Sequence, residues 1–573
     1  MSRRVPLVAG LAVLFLAARS PTFAQEAATQ EAATQEAATQ EAAAQEPAAG
    51  QAGDAPPGGD SSGQGWLTSL KENVDLGAAV IDEAAGEVVE QMAKVLFWDP
   101  VKEFTPEEKH AELPDVKLVV IWLIFGSLAF TFLMGFINLR GFRHAIDLVR
   151  GRYSDPHSTG EVSHFQALSA ALSATVGLGN IAGVAYAVYV GGPGAVFWMV
   201  ASAFFGMSSK FVECTLGQKY RLIDAQGRVS GGAMHYLRRG MAELGWGKAG
   251  VVLGVVLSVV FSLLCIGGSL GGGNMFQANQ SYEALSSAVG LSAEYKVLGS
   301  LVYGVALAIS VGLVIIGGIR RIATTASRIV PLMCGLYVLG SLYIILTNYG
   351  AIPEALGEIF SQAFSTDAVK GGFIGVLVIG VQRAAFSNEA GIGSAAIAHA
   401  AAKTDEPVRE GLVSLLEPFI DTIVVCSMTG LAVVITGAYS DPQFQEIGSG
   451  EAAAITVKAW STVSDWFPLV LAAATVLFAF STLISWSYYG ERCWAYLFGS
   501  GSTLVYKVIF LLFILMGAVI KLGNVIDFSD MMILGMAFPN LLGCLLLSGK
   551  VRRDLKSYWS RYRAGEFQPR NPR

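Results

Sequence analysis

The run QALSAALSATVGLGNIAGVAYAVYV, residues 166–190, is long enough to cross a bilayer, yet Thr175-Val176-Gly177-Leu178-Gly179-Asn180 at its middle is poorly suited to a helix. Glycine costs entropy in a helix and frees the backbone to unwind. Unwound backbone at membrane depth survives only where protein buries it or a cavity borders it. A second run, GGFIGVLVIGVQRAAFSNEAGIGSAAIAHA at 371–400, has the same character, with Phe386-Ser387-Asn388-Glu389-Ala390-Gly391-Ile392-Gly393 at its centre. Close helix packing through small residues would account for Gly179 and Gly183 alone. Two such segments in corresponding positions point instead to a pair of broken helices.

Around these two runs the chain alternates apolar segments of membrane length with short connections. Eleven cores read as spans: 116–137, 166–190, 194–216, 249–275, 297–317, 322–346, 371–400, 409–436, 466–486, 504–520 and 525–548. Phe165–Ser209 carries no charge, and as one helix would be about 68 Å long; Gly191-Gly192-Pro193-Gly194 divides it in two. The broken segments are spans two and seven. They lie an odd number of spans apart and so cross in opposite directions, as in an inverted repeat. The predicted fold class is an all-α polytopic membrane protein. It has 11 transmembrane helices: one N-terminal helix (113–160) plus a five-plus-five inverted repeat (161–348 and 349–548).

Composition agrees. Of 573 residues 53% are hydrophobic and 15% charged, and mean hydropathy is +0.51, against about 25% charged in soluble proteins. The net charge of −6 and the lack of a basic patch argue against nucleic acid. Six cysteines stand singly in or beside apolar segments, without a CxxC, so neither a disulfide framework nor zinc is expected.

Residues 1–24 read as a signal peptide: Arg3 and Arg4, an apolar run, and Thr22-Phe23-Ala24 as a cleavage site. An uncleaved anchor is the rival. Residues 25–65 form a low-complexity periplasmic segment with a QEAAT repeat, and 66–112 a periplasmic amphipathic segment. Lys and Arg in alternate connections divide twenty-five against four. That asymmetry puts the basic tail (549–573) in the cytoplasm and the N-terminus in the periplasm of a bacterial inner membrane.

LSATVGLGNIAGVA (172–185), GGPGAVFWM (191–199), GGGNMFQANQ (271–280), QRAAFSNEAGIGSA (382–395), EPFIDTIVVC (417–426) and FSTLISWSYYGER (480–492) together resemble the alanine/glycine:cation symporters, also called sodium:alanine symporters. The resemblance implies a leucine-transporter-like fold with one extra helix in front. It also implies sodium-coupled import of a small neutral amino acid, alanine or glycine, with sodium ion as the co-transported species and no enzymatic activity. Val200 departs from the pattern, where a second tryptophan is expected. So do Leu178 and Tyr186, where threonine is common.

On that expectation, a zwitterion and a cation must leave water, and each needs a partner. Amides of Gly177, Leu178 and Gly179 at a half-helix start suit a carboxylate. Asn180 offers both donor and acceptor. Carbonyls of Thr175 and Val176 suit sodium. Ser481 and Thr482 resemble the hydroxyl pair that completes a sodium site in this fold, with bonding to their own helix as the alternative. Asn274, Gln277, Phe386 and Ser387 resemble pocket groups, with plain packing open for Phe386. Arg383, Glu389, Glu417, Asp421, Lys210 and Glu213 lie at membrane depth, where ionisable groups pair or act. His235 and His399 read as loop or helix-end residues. An ion channel would need a filter loop, and an intramembrane enzyme a catalytic motif; neither appears. A proton-driven transporter of the same fold remains the alternative.

Overall fold

The computed structural model describes residues 94, 98–103 and 116–569, except 156, 293, 366–371, 445–451 and 521–523. The signal peptide, the QEAAT segment and most of 66–112 lie outside the described residues. The described residues all belong to one compact unit.

The first broken span is helix α1, His164–Thr175, then a single tight turn at Leu178–Asn180, then α2, Ala182–Gly191. Ser163 and Gln166 cap α1 in a reciprocal box, Ser163 Oγ accepting from Gln166 N at 3.2 Å and Gln166 Oε1 from Ser163 N at 3.0 Å. The helix stops because Val176 turns extended and the Asn180 side chain takes the Gly177 amide at 2.8 Å, competing with the helical ladder. The two halves are bent by 59°. Gly192 (φ +71°) and Pro193 then open α3, Gly194–Lys219.

The second broken span is α4, Gly372–Asn388, and α5, Ala395–His399. Glu389 between them is left-handed (φ +55°), as are Gly391 (+90°) and Gly393 (+88°). The glycines adopt this region freely. Glu389 does not, and is held by Trp486 Nε1 on one oxygen at 3.1 Å and Ser394 on the other.

Among the described residues eight helices are long and apolar enough to cross a membrane, the bent pair at 164–191 adds one more candidate, and Leu118–Leu133 and α4 are shorter apolar helices. Their outer faces carry exposed Ile309, Leu313, Leu339 and Leu504, while serine, asparagine and carboxylate side chains are buried inside. That inverts the soluble arrangement and suits a lipid surround. α6, Phe467–Phe498, packs on α1, while α3 packs on α4 and α5.

Span four differs from the sequence reading, which ended it near 275. The helix continues from Lys248 to Ala288 through a wide π turn at Gly271–Met275. A side chain on Gly273 would collide with the Trp486 indole, so the glycine run lets α6 approach closely. A second π turn spans Phe419–Cys426. Such turns widen the helix and re-aim side chains. The C-terminal tail is itself helical to Arg563, tied down by Arg561 to Glu406 and by Tyr558 to His144.

Candidate functional site

Starting from the first break, Gly177 faces α6. A Cβ there would lie 2.6 Å from Thr482 Oγ1 and 3.2 Å from Gln277 Oε1. Gln277 Oε1 accepts from the Leu178 amide at 3.2 Å, and Gln277 Nε2 donates to Gly272 O at 2.9 Å. Gly179 faces the second break, where a Cβ would meet the Phe386 ring at 3.5 Å. The predicted residues Gly177, Leu178, Gly179, Gln277, Phe386 and Thr482 therefore converge. Asn180, Asn274, Ser387 and Ser481 are buried with them. The site is closed, and none of these residues lines the outer crevice of about 650 Å³ beside Phe142 and Phe204.

The paired hydroxyls separate. Ser481 Oγ donates to Phe478 O at 2.9 Å, back into its own helix, while its carbonyl accepts from Ser173 Oγ at 2.6 Å. Thr482 Oγ1 is buried without a hydrogen-bond partner among the described residues, as are Ser485 Oγ and Tyr489 OH on the same helix. Adjacent helical residues point about 100° apart, so one can serve the backbone and the other the site. Thr175 Oγ1 turns back to Ala171 and Leu172 carbonyls at 3.4 Å each, leaving its carbonyl and that of Val176 at the helix end. Asn274 donates to Phe510 O at 2.7 Å, which anchors the π turn rather than reaching the first break; its Oδ1 has no partner among the described residues.

Asp421, placed by the sequence only among the ionisable residues at membrane depth, belongs to the site. Its carboxylate is fully buried and accepts from Asn180 Nδ2 at 2.6 Å, Ser387 Oγ at 2.8 Å and Thr422 Oγ1 at 2.7 Å. Asn180 thus bridges the Gly177 amide and this carboxylate, joining the first break to the second π turn. Thr429 further holds the Asn180 carbonyl at 2.7 Å. No Lys, Arg or His forms an ion pair with Asp421 among the described residues, so a cation entering the site has a charge partner ready. Arg383 pairs with Asp530 and stands over the rings of Tyr186 and Phe386, 5.6 and 5.7 Å from their centroids.

Below the site lies a cluster that the sequence did not foretell. His399 is fully buried, with Glu410 on Nδ1 at 2.6 Å and Glu417 on Nε2. Glu410 also binds His164, and Glu417 lies 3.0 Å from Lys210 Nζ. Cys214, His399 and Glu417 bring donor atoms within 4.8 Å of one another. The Lys210 ammonium on Glu417 disfavours a dication there. His235 instead bonds Ser230 at 2.9 Å near a helix start.

The profile of the Sodium:alanine symporter family matches residues 108–571. The chain is 41% identical over 441 residues to the sodium/alanine symporter AgcS of Methanococcus maripaludis, covering 77% of this chain and 94% of that protein. It is 34% identical over 452 residues to the probable sodium/glutamine symporter GlnT of Bacillus subtilis, covering 78% and 89%. Among solved structures it is similar to MhsT in complex with L-phenylalanine, at TM-score 0.49 and 15% identity, covering 68% of this chain and 89% of that one. With its apolar helices and the match along most of its length, this chain is a multi-pass membrane protein that belongs to the sodium:alanine symporter family.

Proposed function

We propose that the chain is a sodium-coupled symporter importing a small neutral amino acid, alanine or glycine, by alternating access. The observation that carries this reading is the meeting of the first break with Asp421, Ser387 and Thr482 in one buried, polar, tightly lined place. The substrate carboxylate takes the Gly177–Gly179 amides, displacing Asn180 and Gln277 from two of them. Asp421 answers the ammonium. Sodium takes the Thr175 and Val176 carbonyls and Thr482 Oγ1. Ser481 supports this group from behind through Ser173. Closure of Thr482, Gln277 and Phe386 around two glycines supports a small side chain over glutamine. The eight long helices, the bent pair and the two shorter apolar helices are read as eleven spans, one plus an inverted five-plus-five. The charge asymmetry supports a bacterial inner membrane with the C-terminus in the cytoplasm.

Binding of radiolabelled alanine to the purified protein is expected to depend on sodium, because a coupled ion must change substrate affinity. Unlabelled glycine should compete and glutamine should compete far less. Equal alanine affinity in sodium and in choline would remove the coupling. Thr482→Ala is expected to raise the sodium concentration for half-maximal uptake by about tenfold, the loss of roughly 1.4 kcal/mol from one oxygen ligand. Thr482→Ser should restore it, and saturating sodium should largely restore alanine affinity in Thr482→Ala. A sodium titration unchanged in Thr482→Ala would take this hydroxyl out of the cation site.

A further inference from the structure

We infer that the buried chain His164–Glu410–His399–Glu417 is a proton-binding site whose single exchangeable proton is linked to sodium and amino-acid occupancy; this rests on the symporter reading above. The argument is a count of protons. Three hydrogen bonds run in series: His164 Nδ1 to Glu410 Oε2, Glu410 Oε1 to His399 Nδ1, and His399 Nε2 to Glu417 Oε1. Each needs one proton. Two neutral imidazoles carry one N–H apiece and two carboxylates carry none. The third bond therefore requires one proton more than the ordinary neutral-pH forms supply. It can sit on Glu410 Oε1, on His399 or on Glu417, since shifting it among these only exchanges donor for acceptor at a link.

The charge count agrees. Lys210 ends the chain, 3.0 Å from Glu417, and all five residues are between 0% and 3% exposed. With the added proton these five residues taken by themselves, two carboxylates, the ammonium and the imidazoles, sum to zero. Without it the chain is negative by one, with a broken bond, in a place water does not reach. A buried unpaired charge is costly, so the structure described is the proton-loaded state.

None of the neighbouring charged and titratable groups takes part in the three bonds, so the bond count rests on these four residues alone. On α3, Glu213 is bonded by Asn540 Nδ2 at 2.8 Å, Asn540 is bonded in turn by Tyr236, and Cys214 stands beside it as a thiol. Arg221, beyond α3, spends its guanidinium on carbonyls of Ala400 and Ala402 at 2.9 and 2.6 Å. Glu389 is held by Trp486 and Ser394, Tyr489 faces in from α6, and Asp421 follows Glu417 by four residues.

The linkage follows from which elements carry the chain. His164 rides on the first turn of α1, beside exposed Ser163, and the other end of α1 supplies the Thr175 and Val176 carbonyls. Glu410 and Glu417 ride on the segment that carries Asp421, which binds Asn180. Any motion that parts these two segments to open the site also draws His164 from Glu410 and lets water reach the carboxylates, which can then ionise and give up the added proton. Proton inventory and occupancy thus act on the same two bodies.

The test uses full-length protein in detergent, in nearly unbuffered solution at neutral pH with a proton-sensitive dye, to which sodium and then alanine are added. The wild type is expected to exchange close to one proton per chain. Glu410→Gln replaces the added proton by an amide hydrogen, keeping all three bonds and zero net charge. It should exchange none while holding alanine and sodium affinities within about threefold, or less than ~0.7 kcal/mol. Glu417→Gln supplies an amide hydrogen from the other end of the chain in the same way, should also exchange none, and decides the matter should Glu410→Gln fold poorly. No proton exchange by the wild type, or wild-type exchange in these variants, overturns the inference. Proton exchange on sodium addition without alanine binding would leave the proton site standing and sink the amino-acid reading.

Discussion

Gly177→Val is expected to cut alanine uptake to below about 1% of wild type, with the protein still inserted and monodisperse. The new Cβ would stand 2.6 Å from Thr482 Oγ1 and 3.2 Å from Gln277 Oε1, and the γ-methyls would extend further into the same space. Overpacking of this kind costs about 1–3 kcal/mol. At ~1.4 kcal/mol per tenfold, the upper figure is already roughly a hundredfold. The loss should be worse than additive, because the displaced hydroxyl is the one assigned to sodium and the displaced amide steadies the Leu178 N–H. Gly183 supplies the control. It lies in the same broken span, six residues on, and a Cβ there meets nothing within 4 Å. Gly183→Ala should transport normally, because nothing crowds it and alanine suits a helix by about 1 kcal/mol over glycine. Uptake in proteoliposomes under a sodium gradient compares the two. Normal transport by Gly177→Val would place the substrate elsewhere.

Asn180→Ala is expected to lower uptake by on the order of a thousandfold and to destabilise the closed state. One side chain satisfies two buried groups: its Oδ1 takes the Gly177 amide at 2.8 Å, and its Nδ2 reaches Asp421 Oδ1 at 2.6 Å. Alanine leaves both short of a partner in a fully buried place. Each unsatisfied group costs about 1–3 kcal/mol, and the carboxylate stands at the upper end. Asp421→Asn on the Asn180→Ala background separates the two contributions: relieving the carboxylate should recover stability without recovering transport, since the ammonium's partner is then gone. Thermal unfolding and uptake measured on the same preparations read the two effects independently. An Asn180→Ala protein that transports like wild type would dissolve the bridge between the first break and the second π turn.

The breaks were legible because they are local. Glycines beside amide and hydroxyl side chains in the middle of an apolar run weaken the helix where they stand, and at the first break the two halves bend by 59°. Gly177, Leu178 and Gly179 were found by that reading, Gln277, Phe386 and Thr482 by the family resemblance, and the six come together. The π turns escaped it. GGGN reads as the end of a span, yet Gly271–Met275 lies inside a continuous helix, with Trp486, more than two hundred residues away, packed against Gly273. Ser481 and Thr482 are indistinguishable as letters; the rotation of α6 in its packing sends one hydroxyl to Phe478 and leaves the other at Gly177.

From the sequence alone came the bilayer as solvent, the count of apolar segments, the two breaks and the likeness to sodium:alanine symporters. All rest on composition and on patterns within about twenty-five residues, which neighbours in space cannot change. Tertiary structure alone decided which polar groups meet. His164, Lys210, His399, Glu410 and Glu417 share no local pattern, and a histidine near a span end reads the same whether exposed or clasped between two carboxylates. Asp421 likewise became a site residue only when Asn180 and Ser387 were carried to it. In a bilayer no water satisfies such groups, so the helices must pack until each finds a partner. That requirement acts between segments, and no single segment records it.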